Sequence, residues 1–131
     1  MESAFQFTNP SLIKLEFGIN EGFCNSDSKE VNIKINMAVS VERSGDSNQA
    51  RVSLKIELGE RGTANPYYII AIESANFKWN ENIDEEKVDR LLNQNAPSLL
   101  LSYVRPIISQ ITGVSPFDTF NIPFMNFTNR E

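Results

Sequence analysis

The sequence predicts an α+β fold in which a four-stranded antiparallel sheet packs against one long C-terminal helix preceded by a short helix. Between residues 31 and 79, apolar and polar side chains alternate with a period of two, which is typical of half-buried strands. From residue 82 onward the apolar residues recur with the spacing of a helix instead. The chain has 131 residues and is 40% hydrophobic, which suffices for one modest core, so we expect residues 1–131 to form a single domain.

Four segments of the chain carry the strand predictions. Residues 31–42 and 52–58 alternate regularly on either side of a run of turn residues, and together they predict an antiparallel hairpin. Residues 67–79 begin apolar on both faces, which indicates a strand covered by its neighbours. Residues 12–23 mix apolar with charged side chains and suit a further strand at an edge of the sheet.

The helix predictions come from capping residues and from proline and glycine. A short helix is expected over residues 82–92, where an asparagine and three acidic residues suit the free N–H groups of a helix start. Residues 93–97 interrupt the pattern. The longer helix is predicted over residues 97–112, with Pro97 in its first turn and Gly113 at its end.

The longer helix has more apolar surface than one sheet can cover. Its apolar side chains occupy an arc of about 200°, whereas a helix lying on one surface needs a stripe somewhat over ~100°. We therefore expect one side to cover the chain's own sheet and the other to meet the same helix of a second subunit, the alternative being a wide core within one chain. The polar stripe consists of Ser98, Ser102, Arg105, Ser109 and Thr112. The residues assigned to the oligomer interface are Leu100, Val104, Ile107 and Ile111.

Composition argues against several classes of function. The net charge of −5 disfavours binding to nucleic acid or anionic lipid, because both would be repelled. The chain has no histidine, a single cysteine and no metal-ligand cluster or nucleophile with an evident base, so we expect no enzyme, no cofactor and no metal site. Its first residues lack the charged and apolar regions of a signal peptide, and no apolar run is long enough for membrane insertion, so a cytoplasmic location is expected.

Two motifs stand out in the C-terminal third of the chain: residues 95–105 have the sequence NAPSLLLSYVR, and residues 120–127 have the sequence FNIPFMNF. Together they resemble the signature of the SecB family of protein-export chaperones. In the SecB family a Pro-x-x-Leu helix carries a Tyr-x-Arg element, and a proline-containing loop closes with Asn-Phe. The strands between residues 12 and 79 also fall in the family's order, so the resemblance covers nearly the whole chain.

The resemblance implies a homotetramer, built as a dimer of dimers through edge strands and long helices, that holds unfolded polypeptides or preproteins for export without ATP. Holding many sequences needs exposed apolar groups, which flexible and aromatic side chains supply. By position, the client-binding residues are Phe17, Phe23, Met37, Tyr103 and Phe124, and each is also a candidate core residue.

The resemblance also implies the ATPase SecA as a partner, docked through acidic residues on the exposed face of the sheet. Here the corresponding face mixes charges, with Lys14 and Glu16 on the first strand and Lys55 and Glu57 on the third, which departs from the acidic pattern. The chain also ends at residue 131, where longer family members continue. These departures are compatible with a SecB-like chaperone dedicated to a toxin–antitoxin pair.

One function from a different class remains open. The sheet and the helix could enclose a fixed apolar pocket, which would make this a small structural or ligand-binding protein. A pocket protein would bind one compact ligand, whereas a holdase would suppress the aggregation of unrelated unfolded proteins.

Overall fold

The structure is a computed structural model that describes residues 5–23, 32–45, 47–123 and 125–127. One antiparallel sheet carries the helices on a single face, as the predicted α+β class requires. The strands are β1 (Phe5–Phe7), β2 (Ser11–Ile19), β3 (Ile35–Arg43), β4 (Gln49–Gly59) and β5 (Tyr67–Trp79). The helices are α1 (Glu85–Arg90) and α2 (Ala96–Gly113), joined by a π-helical turn at Leu91–Asn95.

The sheet has five strands rather than the predicted four, because one edge is divided. Strands β1 and β2 lie in line along the same side of β5, followed across the sheet by β4 and β3. The chain leaves the edge at residues 8–10, where Pro10 has no N–H to donate to a neighbouring strand. Thr8 stays attached there, since its N–H donates to the carbonyl of Asn76 at 2.9 Å and its Oγ1 accepts from the Asn76 N–H at 3.1 Å.

The bounds of β2 and β3 also differ from those predicted. Strand β2 ends at Ile19 rather than at residue 23, because Asn20 turns its Nδ2 to the carbonyls of Glu60 and Asn65 at 2.7 and 2.9 Å. Strand β3 begins at Ile35. The predicted start at residue 31 lies outside the described residues, and residues 32–34 are not part of the strand.

Strands β3 and β4 form the predicted hairpin. Their register runs from Ile35 opposite Leu58 to Arg43 opposite Ala50. The turn between them contains Gly45, whose φ of 52° lies in the left-handed region that favours glycine. Because the register has no slip, the alternating apolar residues of both strands stay on one face.

We call the face of the sheet on which α2 packs the inner face, and the opposite one the outer face. Helix α2 lies over β4 and β5. The alternating β4 side chains beneath it are fully buried, at 0% exposure: Val52, Leu54, Ile56 and Leu58. Strand β5 is the most covered strand, as its apolar pattern predicts, since it has neighbours on both sides and a helix above it.

The buried residues of α2 require a correction to the predicted interface. Leu100 and Val104 are 0% exposed within a single chain, because they face the chain's own sheet and cannot contact a second subunit in this conformation. Ile107 and Ile111 are half-buried, so the interface prediction stays open for these two. Thr112, expected in the polar stripe, is also 0% exposed, where its Oγ1 donates to the carbonyl of Ile108 at 2.8 Å and accepts from the N–H of Phe120 at 2.8 Å.

The two helices are continuous rather than interrupted at residues 93–97. The backbone passes through the π turn, where the N–H of Ala96 donates to the carbonyl of Leu91, five residues earlier. Pro97, which has no N–H to donate, is the second residue of α2, and this helix follows directly after the π turn. Helix α1 is tied to the sheet by Arg43, which donates two hydrogen bonds to Glu85 at 2.9 and 3.0 Å.

Candidate functional site

The largest exposed apolar surface lies on the divided edge of the sheet. Among the described residues, seven large apolar side chains are exposed, and five of them belong to β1 or β2. Four of these five lie on the inner face, opposite buried residues of β5: Phe7, Leu12, Leu15 and Ile19, with exposed fractions of 39–46%. We call these four residues the edge strip.

A β-bulge interrupts the edge strip. The register between β2 and β5 shifts between Leu12 and Lys14, so Ile13 is the extra residue and is 53% exposed. Bulges bend an edge strand and disturb its ladder of hydrogen bonds, which discourages uncontrolled pairing with other strands. The strip is therefore an apolar surface on an edge that is poorly suited to simple strand addition.

Two of the predicted client-binding residues meet in a cluster of aromatic rings. The ring of Phe17 lies 6.0 Å from that of Tyr67, which lies 6.1 Å from Phe117, and Phe117 is 5.9 Å from Phe23 in an edge-on geometry. Tyr67 is almost fully buried, and burial raises the pKa of its hydroxyl. Phe117 was not among the predicted site residues, and the only sequence signal for it is the phenylalanine-rich segment after α2.

The other predicted client residues do not join this cluster. Met37 lies half-buried on β3, at the opposite edge of the sheet, and packs against the core. Tyr103 is on α2 and is 39% exposed. Phe124 lies outside the described residues. The sequence predicts an edge strand over residues 12–23 but not the edge strip, because alternation does not show which apolar side chains a helix will cover.

Helix α2 presents a second, smaller apolar surface. Tyr103 and Ile107 are one turn apart on α2, where Tyr103 is 39% exposed and Ile107 is half-buried. Leu99 and Ile111, on either side of them, pack partly against the core. We call Tyr103 and Ile107 the helix ridge.

One carboxyl group is buried beside the edge strip. Glu73 is 3% exposed on the inner face of β5, between Leu12 of β2 and Leu54 of β4 in the register. Its Oε1 is buried without a hydrogen-bond partner, and no described lysine or arginine forms an ion pair with it. Burial raises the pKa of the Glu73 carboxyl, because loss of water penalises the charged form.

Ion pairs lie on the outer face, which also carries the partly buried Tyr68, Ile70 and Ile72 of β5. Lys14 lies 4.0 Å from Glu16, which also meets Arg61 at 3.4 Å, and Lys55 lies 3.5 Å from Glu57. Each of these acids therefore has a basic partner. An open depression of about 200 Å³ sits where the edge is divided, and its lining is mostly polar. Its lining residues are Thr8, Asn9, Ser11, Ile13, Arg51, Ser74, Ala75 and Asn76.

Two further features are absent from the described residues. No group of three or more cysteine or acidic side chains is placed to hold a metal ion within residues 5–23, 32–45, 47–123 and 125–127. Within the same residues, no helix has the length and apolar character needed to cross a membrane.

The family model for "Preprotein translocase subunit SecB" matches residues 15–129. The chain belongs to the SecB family. A SecB named "Protein-export protein SecB" from Alcanivorax borkumensis is 23% identical over 110 residues, covering 84% of this chain and 70% of its own length. The protein of the same name from Stenotrophomonas maltophilia is 26% identical over 102 residues, covering 78% of this chain and 59% of its own length.

The SecB fold is also found by comparison with solved structures. The SecB-like chaperone of Mycobacterium tuberculosis, solved in complex with a peptide from an antitoxin, superposes with a TM-score of 0.73. The superposition covers 93% of this chain and 91% of that one at 12% identity. At this identity the likeness establishes the fold.

The SecB signature residues hold the C-terminal segment against α2. The Nε of Arg105 donates to the carbonyl of Ile122 at 3.0 Å, and Ser109 Oγ lies 2.8 Å from Asn121 Oδ1. Ile122 and Phe127 are then inserted into the core at 1% and 7% exposure. The two residues of the Tyr-x-Arg element therefore differ in their surroundings. Arg105 is hydrogen-bonded to the C-terminal segment, whereas Tyr103 remains exposed on the helix ridge.

Proposed function

We propose that this SecB-family chain is an ATP-independent holdase that binds unfolded polypeptides, including preproteins for export, on its edge strip and the adjoining aromatic cluster. The observation that supports this proposal is the concentration of exposed apolar side chains on β1 and β2. Monomeric proteins seldom leave a continuous apolar surface uncovered unless it binds something. The occupant we assign is an extended, largely apolar client segment, since the surface is long and narrow and has no fixed shape for a compact ligand.

The edge strip can be tested by making it polar. A double variant, Leu12→Ser with Leu15→Ser, removes two exposed apolar side chains that contribute little to the core. We expect it to lose most of its ability to suppress the aggregation of two unrelated unfolded proteins, measured by light scattering. Val114→Ser is the matched control, because Val114 is 81% exposed but lies after α2, away from the strip.

Two results would contradict this assignment. An unmodified protein that leaves both aggregation reactions unchanged would exclude a general holdase. A double variant that still suppresses aggregation, but whose mass falls to a single 14.8 kDa subunit, would make the strip an interface between copies of the chain.

A holdase dedicated to one client is the second candidate. The structural relative from Mycobacterium tuberculosis binds a peptide from an antitoxin, so one solved protein of this fold takes a single defined segment. The breadth of clients separates the two candidates, because a dedicated chaperone would protect one antitoxin-like partner and leave unrelated proteins to aggregate.

For assembly, we propose that the helix ridge of Tyr103 and Ile107 contacts a second subunit in a dimer of dimers. A partly exposed apolar pair on a helix is suited to a self-complementary contact across a two-fold axis. SecA docking through an acidic outer face has less support, since the acids Glu16 and Glu57 are already paired with basic residues. A cytoplasmic location and the absence of catalysis are part of the same proposal.

A further inference from the structure

The basic residues of the outer face differ between its two ends. Towards the C-terminal end of β4, Lys55 is paired with Glu57 at 3.5 Å. Near the start of β4, Arg51 is exposed, and so is Lys78 on the neighbouring β5. Within the described part of the chain, neither Arg51 nor Lys78 forms an ion pair. This end of the outer face therefore carries positive charge that the fold does not neutralise.

Arg51 borders the depression of about 200 Å³ at the divided edge. It lies between Ala50 and Val52, which are buried on the inner face, so the alternation of the strand turns its side chain outward. Its register partner on β5 is the exposed Asn76, and on β3 it is Glu42, which forms no ion pair with it. The guanidinium of Arg51 is therefore available to a ligand in the depression.

More hydrogen-bond donors line the depression from other parts of the chain. Asn9 belongs to the segment between β1 and β2, Ser11 opens β2, and Asn76 lies on β5. The side chains of these three make no hydrogen bond to another described residue. Ser74 also lines the depression, although it is only 5% exposed, and its Oγ lies 2.6 Å from that of Ser53. Donors thus come from three strands and one connecting segment.

These groups suit a small oxyanion. A guanidinium binds phosphate through two parallel hydrogen bonds, and hydroxyl and amide groups can donate to the remaining oxygens. Donors that approach from several sides match a tetrahedral phosphate better than a planar carboxylate. None of the eight lining residues is acidic. Sites for drug-sized ligands measure about 300–1,000 Å³, so a depression of about 200 Å³ selects a smaller molecule.

We propose that the depression on the outer face binds the phosphate group of a small phosphomonoester, with Arg51 as the cation. Asn9, Ser11 and Asn76 donate to the other phosphate oxygens. Ile13, the bulge residue, lines the depression and is 53% exposed, so it can pack against the carbon chain that a phosphomonoester has and inorganic phosphate lacks. The site lies on the opposite face from the edge strip and does not depend on the holdase proposal.

The test measures the binding of three probes to the full chain by NMR titration, with ionic strength held constant by sodium chloride. We expect glycerol 3-phosphate to shift the amide signals of residues 8–13 and 74–76. Inorganic phosphate should shift the same signals but bind roughly fourfold more weakly, the loss expected for about one buried methylene. Glycerol, which has no phosphate, should leave the signals unchanged.

Three variants separate Arg51 from the general charge of the protein. Arg51→Gln should weaken the binding of glycerol 3-phosphate roughly tenfold, because it removes the one cation among the lining residues. Lys55→Gln is the matched control, since it makes the same change in charge on the same face of the same strand, and it should keep the affinity. Glu42→Gln should tighten binding roughly twofold, because it removes the acid opposite Arg51.

Three results would overturn the inference. Glycerol 3-phosphate might leave every signal in place, which would exclude the site. Equal weakening by Arg51→Gln and Lys55→Gln would assign binding to diffuse charge instead of the depression. Malonate, a planar dicarboxylate probe, binding as tightly as glycerol 3-phosphate would reject the selection of phosphate. The holdase proposal survives each of these results, because it is tested separately on the inner face through Leu12 and Leu15.

Discussion

The inner face of the sheet has two halves with similar side chains and opposite surroundings. On β4, leucine, isoleucine and valine are 0% exposed beneath α2, whereas on β1 and β2 the same kinds of residue are about 40% exposed. An α-helix is roughly 10–12 Å across and strands lie about 4.8 Å apart, so one helix covers little more than two strands. The difference therefore arises from one helix lying on a sheet four strand positions wide.

The two edges of the sheet also differ in how far they are covered. Strand β3 is contacted by the π turn, and the ion pair between Arg43 and Glu85 holds α1 beside it. Its inward side chains, such as Met37, are half-buried as a result. At the β1–β2 edge, Phe117 meets Phe23, which follows β2, at one end of the strand. The less covered β1–β2 edge is the one to which we assign client binding.

The largest effect expected from this comparison is a difference in stability between two equivalent leucines. Leu54→Ala should lower the free energy of unfolding by about 2–5 kcal/mol, because it leaves a cavity in a fully buried site. Leu15→Ala should lower it by less than about 1 kcal/mol, since much of that side chain already contacts water. Urea denaturation of both variants measures the difference, and equal losses would mean that the edge strip is covered in solution.

Much of this architecture could be predicted from local pattern. Strand β5 was predicted over residues 67–79 and has those bounds, because its apolar run is long and ends at polar residues. Helix α2 was predicted over residues 97–112 and spans Ala96–Gly113. The long apolar run of β5, and the apolar arc of α2 between Pro97 and Gly113, are strong local signals.

The rest depends on contacts between distant residues. The sequence shows an arc of about 200° on α2 but not which part meets the sheet, so Leu100 and Val104 were assigned to an interface although they form the core. The edge is divided at Pro10, and Thr8 beside it is hydrogen-bonded to Asn76, a residue far away in sequence. Glu73 lies in a strand pattern where nothing marks it as unpartnered.

A second prediction concerns the stability effect of Glu73, which lies on β5 between the exposed half of the inner face on β2 and the covered half on β4. Glu73→Leu should raise the free energy of unfolding by about 1–3 kcal/mol at neutral pH, because it removes a buried carboxyl oxygen without a partner. The raised pKa of Glu73 means that the folded state binds more protons than the unfolded state between the ordinary and the raised value. The unmodified protein should therefore lose stability as the pH rises through this window.

The variant lacks this titration, so its advantage should shrink as the pH falls from the raised pKa of Glu73 towards the ordinary value of a glutamate. Denaturation curves of both proteins over a series of pH values measure this, with Glu57→Gln as the control on the outer face. An advantage that is the same at every pH would show that the charge of Glu73 is not what destabilises the fold.

The smallest expected effect on subunit stability, and the sharpest test of assembly, compares two adjacent isoleucines of α2. Ile108 is 0% exposed, whereas Ile107 is half-buried on the helix ridge and does not belong to the core. Ile107→Ser should change the free energy of unfolding of the dissociated subunit by only about 0.5 kcal/mol, as surface substitutions usually do. It should nevertheless lower the mass measured by light scattering across a dilution series, because it makes the proposed contact polar at its centre. Ile108→Val is the control, since it trims the core without touching the ridge and should leave the mass unchanged. If Ile107→Ser and the unmodified chain dissociate at the same concentration, the subunits meet elsewhere, and the edge strip becomes the next surface to test.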